Sequence, residues 1–324
     1  MKMLAFAVEK EEIPIFQKYR EQYDIELTML EEKPSLKNAR MAKGMDCINV
    51  LSDTVLTPDM WDIYHDCGVK IAVTRCIGME HMNKEYAESL GIKVCNVTYS
   101  PASVADYAIM MMLMLLRHIK PIMQRYAGQD YTMAGIRGRE LPNMTVGIIG
   151  AGRIGATTAG HLAGFGCRIL YWNRHRKPEL EGIAEYCDLP KLLEKSDIVS
   201  LHLASNEETY HFMNRDRFSL MKPGAILINT ARGPLVDNQA LIEMLEKGVL
   251  AGAGLDVIEG DRSIYYRDHK NEIIAHHEMA ILNAMPNVLM LPHAAYFTDQ
   301  ALEDMVYNSL IVTSDLYRAM EDKG

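Results

Sequence analysis

The hydrophobic positions of this chain fall into short runs separated by stretches patterned for helix. Met3–Val8, Ile25–Leu30, Cys47–Leu51, Lys70–Thr74 and Lys93–Val97 have the length and apolar content of buried strands. Glu12–Tyr23, Pro58–Asp66 and Lys84–Leu90 lie among them with helical spacing. The alternation resumes with strands at Thr145–Ile149, Ile169–Trp172, Ile198–Leu203, Ala225–Asn229, Gly252–Val257 and Val288–Leu291. Helices are expected between these at Ala156–Phe165, Pro190–Lys195, Asn214–Leu220 and Asn238–Lys247. Such alternation predicts parallel, doubly wound sheets, because parallel neighbours need a crossover connection and a helix supplies it. The chain is therefore expected to be α/β, with one such unit in residues 1 to about 99 and a second beyond the middle of the chain.

Some stretches break the pattern. Ser100 is placed to cap a helix with Pro101 at its first position. The helix that follows is apolar almost all round, as expected of a helix buried in its own chain or covered by a partner. Its methionines point to packing or a subunit interface rather than a ligand box. The apolar block Ala108–Leu116 stops at Arg117, far short of the roughly 20 residues a bilayer span needs. Residues 262–285 are polar and irregular and are expected to be a loop or insertion, and the amphipathic stretch Asp299–Met320 a long closing helix.

With 324 residues, 48% of them hydrophobic and 24% charged, the chain has room for two domains and a large core. A net charge of −9 argues against general binding to nucleic acid or anionic membranes, while small anions can still be held by local arginines. The six cysteines, at 47, 67, 76, 95, 167 and 187, form no Cys-x-x-Cys pair and no metal-ligand spacing with histidine. They are expected to be reduced, buried thiols of a cytoplasmic protein without a metal site. The apolar part of the N-terminus is too short for a signal peptide and reads as the first strand.

The strongest chemical signal is Gly150-Ala-Gly152-Arg153-Ile154-Gly155, between a strand and a helix, with a second strand beyond. In a βαβ dinucleotide site the first glycine makes the tight turn. The second lets backbone approach the pyrophosphate, and the third lets helix pack on strand. The phosphates then meet the free N–H groups of a helix N-terminus. An NAD site places an acid at the end of the second strand to accept the ribose 2′-OH. Here that position is Asn173, followed by Arg174, His175 and Arg176. Asn173 does not repel a 2′-phosphate and the arginines suit one, so NADP(H) is favoured over NAD(H). The alternative for the turn is a solvated basic surface.

Three further stretches end predicted strands: Asn229-Thr-Ala-Arg232-Gly-Pro-Leu-Val-Asp237, Gly254-Leu-Asp256-Val-Ile-Glu259-Gly-Asp261 and Leu291-Pro-His293-Ala-Ala-Tyr296. Alone, each has an ordinary explanation: a cap or salt bridge for Arg232, an exposed loop acid for Asp261, a satisfied structural histidine for His293. Together they supply what reduction of a 2-oxoacid needs. Arg232 offers a fork that fits a carboxylate. His293 is the side chain suited to general acid/base work near neutrality, and a carboxylate beside it favours the imidazolium.

These stretches, with Thr74-Arg-Cys-Ile-Gly78, Asn96-Val-Thr-Tyr-Ser-Pro101 and the glycine motif, resemble the D-2-hydroxyacid dehydrogenase family across nearly the whole chain. Tyr99-Ser-Pro-Ala-Ser-Val-Ala-Asp-Tyr107 and the basic turn are most similar to the D-lactate dehydrogenases of vancomycin-resistance clusters, relatives that favour NADPH. The resemblance implies two doubly wound Rossmann-like domains with a cleft between them. Residues 1–99 and 297–324 would bind substrate and residues 100–296 the dinucleotide. It implies Arg232 on the substrate carboxylate and carbonyl, His293 as acid/base, and an acid at 261 to orient and charge the histidine. Ile77 and Gly78 would meet the carboxylate through their backbone, and Tyr99 and Tyr296 would line the pocket. Asp256 would meet the nicotinamide end of the cofactor. Arg153, Ile154, His202, Thr230, Ala231, Arg232 and His293 join the glycines and the basic turn as candidate cofactor contacts.

The family usually has Glu where this chain has Asp261, one methylene shorter, so Glu259 stands as an alternative partner for His293. A homodimer through the cofactor domain is expected, with the Met110–Leu116 helix as a candidate interface. Substrate side chains are expected to be read near Val8–Lys10 and Ser52–Val55, where no arginine greets a second carboxylate, so pyruvate or another monocarboxylic 2-oxoacid ranks above dicarboxylic ones. The alternative from another class is a nucleotide-sensing, non-catalytic regulator on the same fold, as the related corepressors are.

Overall fold

The computed structural model describes residues 1–52 and 54–322, so Asp53, inside the Ser52–Val55 loop, lies outside the described residues. The chain divides into two compact units, one of residues 1–100 with the stretch from Phe297 onward, the other Pro101–Tyr296.

In the first unit, strands β1 (Lys2–Ala5), β2 (Glu26–Met29), β3 (Cys47–Val50), β4 (Ile71–Thr74) and β5 (Lys93–Asn96) alternate with helices α1 (Ile13–Arg20), α2 (Pro58–Asp66) and α3 (Lys84–Ser89). The strands pair in parallel in the order β2-β1-β3-β4-β5. β3 and β4 are buried at every position, which is why they read as unbroken apolar runs, whereas edge strand β2 alternates toward solvent. Leu4, Phe6, Ile48, Trp61, Tyr64 and Met82 fill the core. Strand order reverses between β1 and β3, so the loops leaving those strands flank the switch point where open sheets of this kind bind ligands.

One buried cation organises that edge. Arg75, fully buried, donates from Nε to Glu12 Oε1 at 2.8 Å and from Nη1 to Asn49 Oδ1 at 2.9 Å. Its Nη2 donates to the carbonyls of Phe6 and Ala7 at 3.1 and 2.9 Å. A buried ion pair is tolerable only when its remaining donors are satisfied, as here. The network fixes the loop from Phe6 to Glu12, in which Ala7 is left-handed at φ +50°.

The second unit runs α4 (Ala102–Leu116), α5 (Ile119–Ala127), β6 (Thr145–Ile149), α6 (Arg153–Ala163), β7 (Arg168–Trp172), β8 (Glu185–Tyr186), α7 (Leu189–Lys195), β9 (Ile198–Leu201), α8 (Arg215–Ser219), β10 (Ala225–Asn229), α9 (Asn238–Glu246), β11 (Leu250–Leu255), α10 (His277–Ala284) and β12 (Val288–Met290). Its parallel sheet has the order β12-β11-β10-β9-β6-β7-β8. The last helix, α11 (Asp299–Glu321), returns to the first unit. There Glu303 accepts from Lys18 Nζ and Tyr19 Oη at 2.7 and 2.5 Å, and Ser309 Oγ accepts from Asn49 Nδ2 at 2.9 Å.

Several elements differ from the sequence expectations. The stretch 262–285 is not all loop, because it carries α10. His276 caps that helix by accepting the Met279 N–H on Nδ1, and histidine is not among the usual capping residues. α5 has no counterpart among the expected helices, and none of its residues is fully buried. Lys120 ties it down through the carbonyls of Asn283, Met285 and Val288 at 2.7–2.8 Å. α4 starts at Ala102 with Pro101 in the capping position, and the Ser100 N–H instead donates to Asp304 Oδ2 at 2.7 Å. α4 is covered largely by its own unit: Ala108, Met111, Met112 and Leu116 are buried, and within Met110–Leu116 only Met110 is exposed. Among the described residues no single helix is long and apolar enough to cross a membrane, and α4 and α5 meet at a 64° bend.

Candidate active site

Every strand of the second unit is parallel, so the loops after β6, β7, β9, β10, β11 and β12 leave the same edge of one sheet. These loops hold nearly all the residues singled out in that part of the sequence.

Between β6 and β9 lies the topological switch point, and the glycine motif occupies it. Gly150 has φ +92°, and a Cβ on it would stand 2.7 Å from the His202 carbonyl oxygen. A Cβ on Gly155 would stand 2.0 Å from the Gly150 carbonyl oxygen, so α6 can meet the turn only through glycine. Gly152 has nothing within 4 Å of its Cβ position, which leaves its backbone open to an approaching group. α6 begins at Arg153 and Ile154, and its cap residue Gly152 provides no side-chain bond to the first-turn N–H groups. An uncapped helix start beneath open backbone fits a dinucleotide phosphate. A second feature fits such a cofactor: Thr230 Oγ1, just past β10, is buried without a hydrogen-bond partner.

Asn173 follows β7 and joins two loops. Its Oδ1 accepts the Ala151 N–H at 3.2 Å and its Nδ2 donates to the His175 carbonyl at 3.0 Å. Arg174 pairs with Glu208 on the surface, and the Arg176 guanidinium lies 5.1 Å from the Tyr186 ring centre.

His202, after β9, is hydrogen-bonded to Ser200 Oγ at 2.9 Å, and burial pushes its imidazole down to about 4. It is thus neutral near pH 7. Because the folded value lies below the ordinary 6.5, its contribution to stability is intact above about 6.5 and declines as pH falls toward about 4. His202→Asn is expected to show a smaller drop in Tm between about pH 7 and about pH 4.5 than the wild type. Equal drops would mean the ring is not buried in its neutral form.

On the other side of the switch point, Arg232 leaves β10, with Nη1 donating to the Ala231 carbonyl at 2.8 Å. Asn229 shapes this turn: its Oδ1 accepts the Ala231 N–H and its Nδ2 donates to the Arg232 carbonyl. Asp261 lies beyond β11 in a short 3-10 turn. Burial raises its carboxyl above the ordinary range, while the Ile258 N–H and the Arg262 and Arg232 guanidiniums pull it back down. Glu259 is committed elsewhere, its Oε2 lying 2.8 Å from His211 Nε2.

His293 follows β12 in the left-handed region at φ +56°, a conformation uncommon for residues other than glycine and costly unless its surroundings hold it. Those surroundings are specific. Its N–H donates to the Asp256 carbonyl at 2.8 Å, its carbonyl accepts from Tyr266 Oη at 3.0 Å, and the Asp256 carboxylate accepts the Ala294 and Ala295 N–H groups at 2.9 Å each. Asp256, expected at the cofactor, is fully buried and holds the His293 loop. Tyr296 stands edge-on to the imidazole with ring centres 6.3 Å apart.

In the first unit, Ile77 and Gly78 follow β4 and Tyr99 follows β5, on that unit's own C-terminal edge with the loops after β1 and β3. Asn96 Nδ2 donates to the Ile77 carbonyl at 2.7 Å and holds that loop. Arg75, Tyr266, His211 and His276 take roles that no local pattern marks, because their partners are distant in sequence.

Residues 109–295 match the family model described as D-isomer specific 2-hydroxyacid dehydrogenase, NAD binding domain. The chain is 40% identical over 304 residues to a D-specific alpha-keto acid dehydrogenase of Enterococcus faecalis, covering 94% of this chain and 93% of the relative. It is 36% identical over 313 residues to a D-lactate dehydrogenase of Streptococcus agalactiae, covering 96% and 95%. Among solved structures, a D-2-hydroxyisocaproate dehydrogenase superposes with a TM-score of 0.89 at 33% identity, covering 98% and 97%. The chain belongs to the D-isomer specific 2-hydroxyacid dehydrogenases, oxidoreductases that use a nicotinamide cofactor.

Proposed function

We propose that the protein reduces a monocarboxylic 2-oxoacid, pyruvate foremost, to the D-2-hydroxyacid, with NADP(H) preferred to NAD(H). The observation that carries this is the gathering of Arg232, Asp261 and His293 on one sheet edge beside the glycine turn, with His293 locked in a strained conformation. When bound, the reduced nicotinamide supplies the hydride. The residues that would hold it are Gly150, Gly152, Gly155, Arg153 and Ile154 at the start of α6, the Asn173–Arg176 turn, and His202, Thr230, Ala231 and Asp256.

Arg232 grips the substrate carboxylate and orients the carbonyl. An imidazole N–H of His293 gives its proton to the carbonyl oxygen as negative charge develops there. Asp261 stabilises the imidazolium that this requires. The engagement of Glu259 by His211 supports Asp261 over Glu259 in that role. Ile77 and Gly78 are proposed for carboxylate binding, and Tyr99 and Tyr296 for the walls of the pocket.

NADP(H) preference is supported by the amide at 173 and the two arginines that follow. Glu208 competes for Arg174, so Glu208→Gln is expected to raise the NADPH/NADH ratio of kcat/KM, and Arg174→Gln to lower it. The decisive experiment is a matrix of kcat/KM for pyruvate, branched-chain, aromatic and dicarboxylic 2-oxoacids against both cofactors. A preference for NADH of about tenfold or more would overturn the cofactor assignment. Absence of turnover with cofactor binding retained would favour a nucleotide-sensing regulator.

A homodimer and a cytoplasmic location complete the proposal. The buried thiols of Cys47, Cys167 and Cys187 support the location. For the dimer, the exposed apolar residues Met123, Tyr126, Tyr131 and Met133, on and after α5, offer a better surface than α4. Sedimentation equilibrium giving the mass of one chain would remove it.

A further inference from the structure

The loops bearing Arg232 and Asp261 leave adjacent strands and touch through backbone. A Cβ on Gly233 would stand 2.1 and 2.2 Å from the carbonyl carbon and oxygen of Ile258 and 2.4 Å from the Glu259 nitrogen. A third segment joins them. The His211 N–H donates to the Pro234 carbonyl at 2.8 Å, and Met213 continues with a parallel bridge to Val236. His211 is left-handed at φ +47°, and its Nε2 lies 2.8 Å from Glu259 Oε2. Tyr210 stacks on this imidazole, ring centres 4.0 Å apart. The other end of Glu259 is held too: its carbonyl accepts from His276 Nε2 at 2.7 Å. His276 Nδ1 accepts a backbone N–H, which places the ring proton on Nε2, the donor side.

We propose that His211 and Glu259 form a brace that sets Arg232 and Asp261 at their working separation, making both positioning residues for the reaction. The brace rests on the reductase assignment above. His211 is fastened by its backbone two residues beyond Arg232, and Glu259 lies two residues before Asp261. A bond between their side chains therefore fixes one loop against the other close to both working groups. The two side chains are about one-third exposed, 31% and 32%, so the pair adds little to global stability, and its effect is geometric.

The test uses the full-length enzyme saturated with cofactor. His211→Ala and Glu259→Ala are expected to lower kcat/KM for the best 2-oxoacid about 10- to 100-fold, the loss that follows from a misplacement of about an ångström. NADPH Kd, read by fluorescence, stays at the wild-type value. His211→Gln keeps a donor and Glu259→Gln keeps an acceptor, so each recovers most of the loss of its alanine counterpart. The double alanine variant is no worse than the poorer single. The pH–rate midpoint is unmoved in Glu259→Gln.

Full activity in either alanine variant overturns the brace. So does an equal loss in the conservative and alanine variants. A pH shift in Glu259→Gln matching that of Asp261→Asn would instead make Glu259 the partner of His293. If the wild type turns over no 2-oxoacid, the reductase assignment fails, and hydrogen exchange then decides the brace. His211→Ala must speed exchange across residues 232–237 and 258–261, and unchanged exchange would overturn it.

Discussion

His293→Gln is expected to lower kcat for 2-oxoacid reduction by about 10²- to 10⁴-fold, the range that a positioned general acid supplies. The amide can still hydrogen-bond a carbonyl oxygen but has no acidic proton near neutral pH. The loss should therefore fall on kcat rather than on substrate KM, and a variant within about threefold of wild type would remove His293 from the proton-transfer step. In the wild type, reduction needs the imidazolium, so kcat/KM falls as pH rises through the His293 pKa. As proposed, Asp261 favours the charged ring. Asp261→Asn withdraws that charge, lowers the pKa and moves the fall to lower pH. A shift in the other direction, or none, would detach Asp261 from His293.

Arg232 carries the second large effect. Arg232→Lys keeps the charge and loses the fork, and Lys is a point donor that cannot hold a carboxylate by two parallel bonds. A drop in kcat/KM of about 10²- to 10³-fold is expected, equivalent to about 3–4 kcal/mol. KM should rise and kcat should fall, because the contact both binds the acid and aims the carbonyl. The methyl ester of the same 2-oxoacid is the control. Lacking the carboxylate, it should lose far less on the same substitution, and an equal loss would place Arg232 away from the carboxylate.

The parts of the molecule legible in the sequence are those written in local patterns. Most strands of both sheets are short apolar runs, the two-residue β8 being an unexpected exception, and the glycine turn announces itself because Gly150 and Gly155 admit no side chain. What stayed hidden depends on distant partners. Arg75 sits in a stretch that looks like any strand end, yet it binds Glu12 and Asn49 and shapes the loop after β1. α5 is fastened by a lysine to carbonyls more than 160 residues away. α10 is capped by a histidine, outside the expected capping set. At the site, Arg232, Asp261 and His293 were identifiable by type and by their place after strands. The bonds that orient their loops, from Asn229, Asp256 and His211, were not.

The discontinuity of the first unit has a consequence for biosynthesis. Its sheet and first three helices lie within residues 1–100, but α11, which closes over β4 and β5 and anchors Ser309 to Asn49 and Glu303 to α1, is translated only after residues 101–296. At about 5–20 residues per second, the nascent first unit waits on the order of ten seconds or more with that face open. The second unit, contiguous in sequence, can complete its core during the same interval. Folding on the ribosome is therefore expected to finish in the reverse of sequence order, the inserted unit first and the unit that began the chain last.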